Sequence, residues 1–387
     1  MKFTKYIPFI GMALLLLLVQ LIAIALSKPF EINDMGAFKN PEATSNVIYW
    51  VAIILVFTAF ILAVIKLNKK WIIQAFIYFT VASTLYYVFY AIFSGFLAPG
   101  LNFLLTLILS IALTVILYKF PEWYVIDIIG VIIGAGAASI FGISLAIIPT
   151  LLLLVLLLVY DYIAVYRTKH MVTLAEGVMD LRLPILLVIP KHWDYSFLTE
   201  KFDKEEREAF FMGLGDAVMP TILVISAITF GGLLFSWSDV PGHDDVKLTE
   251  YLNQKFGIDW VNNAKIEKID DNRTLRVYSD KNNLFLTLND DKTRLNLSID
   301  DGRTYELIVK VQGGNLNIYR EVSSYTLPFI GTVIIPAIGA IVGTFVGFAV
   351  LLGFVMKGKP QAGLPFLNGG VILGYVVGSL IAGSPII

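Results

Sequence analysis

Two aspartates stand where an acidic side chain is costly. Asp161 follows Leu151 to Val159, a run without a polar side chain, inside Tyr160-Asp161-Tyr162. Asp216 closes Gly213-Leu214-Gly215-Asp216 and is followed by the largely apolar stretch Ala217 to Phe230. A carboxylate within a bilayer costs about 2.5–3.5 kcal/mol on insertion scales, so each one needs a reason. Two carboxylates close together in a low-dielectric site cannot both ionise and share one proton. The ionised member can then activate a water while the protonated one polarises a carbonyl, and the roles exchange as the tetrahedral intermediate collapses. Such a pair hydrolyses a peptide bond without a metal, a nucleotide or any other cofactor. The same buried acids suit a proton or cation pathway in an ion-coupled transporter or channel. On the two residues alone, both readings stand.

Other chemistries find less support. The chain has no Cys, hence no thiolate nucleophile and no thiolate metal ligand, and His170, His192 and His243 lie in polar stretches without ligand spacing. His243-Asp244-Asp245 reads as a solvated turn rather than a metal site. Asp127, beside Glu122 and Trp123, is the one rival carboxylate, and about one turn into its helix it reads as an interfacial residue. No metal, cofactor or nucleic acid is called for.

The elements that must position the two aspartates are membrane spans. Of the 387 residues, 57% are hydrophobic and only 15% charged, and apolar runs of about 18 or more residues recur along the chain. Spans are expected at roughly 6–26, 47–65, 71–93, 101–118, 122–141, 144–166, 209–236, 327–356 and 365–385. Lys2 and Lys5 precede the first. It is too long for a signal peptide and no small-residue cleavage site follows, so it reads as a retained span. Small residues at Gly130/Gly134/Ala138, Gly339/Gly343/Gly347 and Gly370/Gly374/Gly378 mark helix-packing faces. No inverted repeat of the kind transporters use is visible.

Lys and Arg in the short loops orient the bundle. With the N-terminus cytoplasmic, that side receives Lys2, Lys5, Lys66, Lys69, Lys70, Lys119, the basic residues of loop 168–208, Lys357 and Lys359, and the opposite side only Lys28 and Lys39. The C-terminus is then extracytoplasmic. Counting the helical rise, Asp161 lies about 9 Å inside the boundary at Arg167 and Asp216 about 12 Å inside the boundary near Glu208, which brings both to one level.

Two polar insertions interrupt the spans. Loop 168–208 carries the strand-like run Leu183 to Ile189, which offers an edge for strand addition by an extended substrate. Residues 238–326 alternate at period two over 274–278, 284–288, 294–298 and 305–309, separated by turn residues at 281–283, 290–292, 300–302 and 313–315. They read as an antiparallel meander preceded by a short helix near Leu248–Phe256. The expected division is 1–237 for spans one to seven, 238–326 for a β-rich extracytoplasmic insertion, and 327–387 for spans eight and nine.

At these residues the chain resembles the GxGD family of intramembrane aspartyl proteases, the presenilins and signal peptide peptidases, and most closely their archaeal homologues. Tyr160-Asp161 matches the family's Tyr-Asp pair of the sixth span, and Gly213-Leu214-Gly215-Asp216 matches its Gly-x-Gly-Asp of the seventh. The resemblance implies that both aspartates are catalytic. The family's Pro-Ala-Leu, which shapes the cleft at the start of the ninth span, corresponds to Ala362-Gly363-Leu364-Pro365. Only Leu364 matches strictly there, with Pro following as in presenilins. The implied fold is an all-α polytopic membrane protein of nine transmembrane helices in the presenilin arrangement, with the β-rich insertion between helices seven and eight. The implied activity is endoproteolysis of transmembrane segments within the lipid bilayer, with substrates in the type I orientation. Gly213 and Gly215 leave room beside Asp216 for a helix or an extended substrate backbone. Tyr160 either touches substrate or packs and hydrogen-bonds. Homo-oligomerisation is compatible with the sequence.

Overall fold

The computed structural model describes residues 7–67, 70–167, 186–192, 194–197, 208–231, 233–237, 248–249, 252–253, 258–269, 274–289, 294–312, 315–319, 324–327, 331–355 and 362–382. His170, the 243–245 turn, most of loop 168–208 and the turns at 290–292 and 313–314 lie outside the described residues.

Among the described residues the membrane part contains α1 (Ile7–Ile32), α2 (Ser45–Lys66), α3 (Lys70–Phe93), α4 (Pro99–Lys119), α5 (Trp123–Gly142), α6 (Ile147–Tyr162), β1 (Leu186–Pro190), β2 (Ala209–Gly213), α7 (Leu214–Phe230), β10 (Ser324–Leu327), β11 (Gly331–Ile334), α8 (Ile335–Val355) and α9 (Leu364–Ala382). Eight apolar helices among the described residues are long enough to cross a membrane, whereas α7 has 17 residues and spans about 25 Å, short of the ~30 Å hydrocarbon core. The helix α5 is the most buried of the long spans. On α2, α3 and α4, large apolar side chains such as Ile48, Phe79 and Ile108 face outward, as lipid-facing surfaces do.

The seventh span departs from expectation. Only 214–230 is helical, because Ala209–Gly213 forms β2, antiparallel to β1 with Leu186 opposite Gly213 and Pro190 opposite Ala209. Irregular backbone at membrane depth must find partners within the protein, and the β1–β2 ladder supplies them. The depth given for Asp216 assumed helix from Glu208 onward, so that count does not hold. Leu233–Trp237, expected as the end of the same span, is a strand as well, and α8 starts at Ile335 rather than near 327 because β10 and β11 form a hairpin ahead of it. Past Tyr162, α6 continues into one π-helical turn, Ile163–Arg167.

The glycine stripes of α8 and α9 interlock. A Cβ at Gly343 would collide with the Gly370 carbonyl oxygen, and one at Gly374 with that of Gly339. The backbones therefore touch directly, as small-residue faces in membranes allow. Gly343→Leu is expected to force the two helices apart at a cost of about 1–3 kcal/mol. A drop of several degrees in the unfolding midpoint in detergent would report it.

Residues 232–323 form a second compact unit. Its seven antiparallel strands run in the order β3-β9-β8-β7-β6-β5-β4, with β3 at Leu233–Trp237, β4 at Lys265–Ile269, β5 at Thr274–Tyr278, β6 at Asn283–Leu288, β7 at Arg294–Ile299, β8 at Thr304–Gln312 and β9 at Asn315–Tyr319. The alternation places Val277, Leu284 and Ile299 in one cross-strand row and Leu275, Leu286 and Leu297 in the next. Both rows are buried with Leu248, Leu252, Ile258 and Val261, and full burial of each such side chain contributes about 1.5–3 kcal/mol. Gly302, at φ +85° in the β7–β8 turn, adopts a conformation that other residues resist.

Candidate active site

The two aspartates come from helices pinned together at their other ends. Ser226 of α7 donates from its hydroxyl to the Leu145 carbonyl just before α6 (2.8 Å), and Thr150 of α6 donates to the same carbonyl at 3.1 Å. Asp161 lies at the C-terminal end of α6 and Asp216 in the first turn of α7, so an antiparallel pairing brings them to the same end.

The residues before α9 tie the site together. The backbone N–H of Leu364 donates to Asp161 Oδ2 at 3.2 Å. Its neighbour Gly363 lies against the other carboxylate, since a Cβ there would sit 2.6 Å from Asp216 Oδ2. One peptide unit thus lies against both aspartates. Asp161 is buried and Asp216 half-buried.

Local sequence explains these placements. Gly213 is the N-cap of α7 (φ −61°, ψ 135°). Asp216, three residues on, accepts a hydrogen bond from the Gly213 N–H, reaching back as an N3 acid does in a capping box. Leu214 fits its side chain over Gly134 of α5, where a Cβ would come within 2.9 Å of Leu214 Cδ1. The start of α7 is therefore level with Gly134, about 16 Å along α5 from Trp123. The Gly130/Gly134 face thus receives Leu187 of β1 as well as α7, a strand and a helix rather than a helix alone. Gly215 is exposed, and a Cβ on it would meet nothing within 4 Å. Among the described residues, open space rather than a neighbouring helix lies beside it.

Ala362 and Leu364 are buried. Leu364 packs with Val47, Leu145, Leu153 and Leu157. Pro365 occupies the first turn of α9, where its missing N–H costs nothing. The Gly363 carbonyl accepts from the N–H groups of Phe366 and Leu367, both at 3.2 Å. Further along, Asn368 Nδ2 donates to the Leu154 carbonyl at 3.1 Å and ties α9 to α6. Tyr160 is half-buried on α6.

One group beside the site escaped the sequence reading. Tyr166, on the π-helical turn, accepts a 3.4 Å hydrogen bond on its hydroxyl from the Ala362 N–H. The turn re-aims residues after Asp161, as such insertions do at functional sites, and no composition signal marks it. Asp127, which the sequence offered as a rival carboxylate, is 4% exposed, and its Oδ1 accepts from the Val188 N–H at 2.7 Å.

A bundle of membrane-crossing helices around a pair of facing carboxylates is built either for acid–base hydrolysis inside the bilayer or for moving ions through it. Comparison with known proteins separates the two. Residues 12–236 and 318–384 match the family described as signal-peptide peptidase, presenilin aspartyl protease. The chain thus belongs to that family and is an intramembrane aspartyl endopeptidase, a multi-pass membrane protein. The stretch left unmatched, 237–317, falls within the β-rich unit. Two solved structures of a presenilin family intramembrane aspartate protease are similar to it. The one in the C222 space group is 31% identical with a TM-score of 0.55, the match covering 98% of this chain and 100% of that one. The one in the P2 space group is 33% identical, again at 0.55, with coverages of 97% and 98%. No curated protein matches the chain. Nothing in these likenesses supports a transporter.

Proposed function

We propose that Asp161 and Asp216 are the catalytic pair and that they cut transmembrane segments of membrane proteins. The observation that carries this reading is the Gly363–Leu364 peptide, which touches both carboxylates at once. One aspartate, ionised, takes a proton from a water poised between them. The other, protonated, donates to the scissile carbonyl oxygen. The water oxygen bonds to the carbonyl carbon; on collapse the C–N bond breaks as the first aspartate gives its proton to the leaving amine and the second takes one back from the intermediate's hydroxyl, which restores the shared-proton state. The chain's own residues supply every step.

A helical substrate hides its carbonyls in its own hydrogen bonds, so the cut segment must be extended. The open side of Gly215 admits a substrate backbone next to Asp216. The β1–β2 ladder, which ends at the cap of α7, offers main-chain pairing to an unwound strand. Ala362, Gly363, Leu364 and Pro365 wall the cleft, with Tyr160, Gly213 and Leu214 around it. The test is incubation of the reconstituted protein with a single-span substrate and mapping of the products by mass spectrometry. Cuts within the apolar segment support the proposal; cuts confined to its flanks, or none, refute it.

The basic loops further support a cytoplasmic N-terminus, an extracytoplasmic C-terminus, an extracytoplasmic β-rich insertion, whose compact unit is 232–323 rather than 238–326, and type I substrates. Because the chain lacks Cys, single introduced thiols report sidedness cleanly. In intact cells, Lys39→Cys is expected to react with an impermeant maleimide and Lys119→Cys to stay protected. The reverse pattern would invert the topology and the substrate class with it.

A further inference from the structure

We propose that Asp127 is a positioning residue of the proteolytic site: its carboxyl holds the edge of β1 at Val188 and so sets, through the β1–β2 register, where Asp216 stands. This rests on the reading of Asp216 as one of the catalytic pair.

The path is continuous. The outward-pointing Val188 N–H donates to Asp127 Oδ1 at 2.7 Å. The same strand is flanked on two sides: a Cβ on Gly11 of α1 would come 3.1 Å from Ile189 Cγ2, and one on Gly130 of α5 would come 3.5 Å from Leu187 Cδ2. β1 in turn registers β2, with Leu186 opposite Gly213, and Gly213 caps the helix that carries Asp216. A second carboxylate holds the chain beyond β1. Glu122, the N-cap of α5, accepts from the Ser196 hydroxyl at 2.7 Å and the Phe197 N–H at 3.0 Å. The first turns of α5 thus grip the segment at Val188 and again at 196–197.

The clasp accounts for two costly features together. The Val188 amide and the Asp127 carboxyl are both buried in the protein, where an unpaired backbone N–H is costly and a carboxyl needs a partner. Each answers the other. Asp127 Oδ2 is buried with no hydrogen-bond partner, so only the Oδ1 acceptor is used. An amide side chain, which keeps that acceptor, should therefore replace the acid, whereas an apolar one of similar size should not. With the clasp lost, β1 and β2 gain freedom and the Asp216 carboxylate leaves its place beside Gly363. The loss then falls on kcat rather than on KM.

The experiment compares Asp127→Asn and Asp127→Leu in the full-length protein, reading amide hydrogen exchange over 186–190 alongside steady-state cleavage. Asp127→Leu is expected to speed exchange of β1 at least about tenfold, leaving the long helices unchanged, and to lower kcat at least about tenfold. Asp127→Asn is expected to stay within about threefold of wild type in both. An Asn variant as impaired as the Leu variant, a Leu variant with β1 still protected, or faster exchange spread evenly over all helices would each overturn the proposal. Should the Leu variant fail to fold, the Asn variant decides: retained β1 protection and kcat uphold the clasp, and loss of either overturns it. Exchange needs no turnover. A wild-type protein without aspartate-dependent cleavage would unseat the catalytic reading and leave the exchange result to judge the clasp.

Discussion

Asp216→Asn is expected to lower cleavage of a membrane-helix substrate by at least about 10³-fold, the upper part of the range that a positioned acid–base group contributes. The substitution keeps size and hydrogen-bond acceptance but removes the ability to carry or release a proton. Its oxygen can still accept from the Gly213 N–H, so the cap of α7 and the fold survive. Asp161→Asn should behave alike, since its oxygen can still accept from Leu364. Unfolding midpoints close to wild type in both variants, with cleavage gone, would separate chemistry from stability. Residual activity within tenfold of wild type in either variant would exclude that residue from proton transfer.

The second large effect is expected at Gly363. Its Cβ position lies 2.6 Å from Asp216 Oδ2 and 2.8 Å from Cγ, so a side chain there must displace the carboxylate. Gly363→Ala asks for a small shift of a side-chain end, and the matching position in the resembling family is Ala, so activity should persist within about tenfold. Gly363→Val adds two methyl groups into the space the carboxylate uses and should lower kcat by about 10²-fold or more, in line with the cost of misplacing a reacting group by an ångström. Because the obstructed atom belongs to Asp216 and not to packed backbone, stability should change little. The readout is kcat against the unfolding midpoint for both variants. Equal activity in Gly363→Val and wild type would mean that Asp216 reacts from some other position.

How much of this was written legibly in the chain differs from element to element. Long apolar runs marked most spans, and Tyr160-Asp161 with Gly213-Leu214-Gly215-Asp216 marked both acids. The meander showed itself where alternation was strict, as in Thr274-Leu275-Arg276-Val277-Tyr278. β2 and β3 were hidden for a physical reason: Ala209-Phe210-Phe211-Met212-Gly213 and Leu233-Leu234-Phe235-Ser236-Trp237 adjoin the apolar run of α7, and short apolar stretches fit helix and strand equally. Their backbone partners, β1 and β9, are distant in sequence. β4, Lys265-Ile266-Glu267-Lys268-Ile269, has too few apolar residues to announce itself.

Asp127 illustrates the limit on single side chains. One turn into α5, an acid looks interfacial by position alone; that it meets Val188, 61 residues away, follows only from the folded arrangement of β1. The same holds for Leu364 and Asp161, 203 residues apart. The family resemblance could assign the 362–365 segment to the cleft, but which of its atoms touches which aspartate is a property of three dimensions.

The most direct test of the paired-aspartate mechanism is a double-mutant cycle on cleavage: wild type, Asp161→Ala, Asp216→Ala and the double variant, purified and assayed on one transmembrane substrate. Groups that share one proton act as a unit, so removing the second after the first should cost almost nothing more. The expected result is three variants equally inactive, each with wild-type folding. A double variant whose loss is the product of two separate, partial losses would contradict a shared catalytic pair.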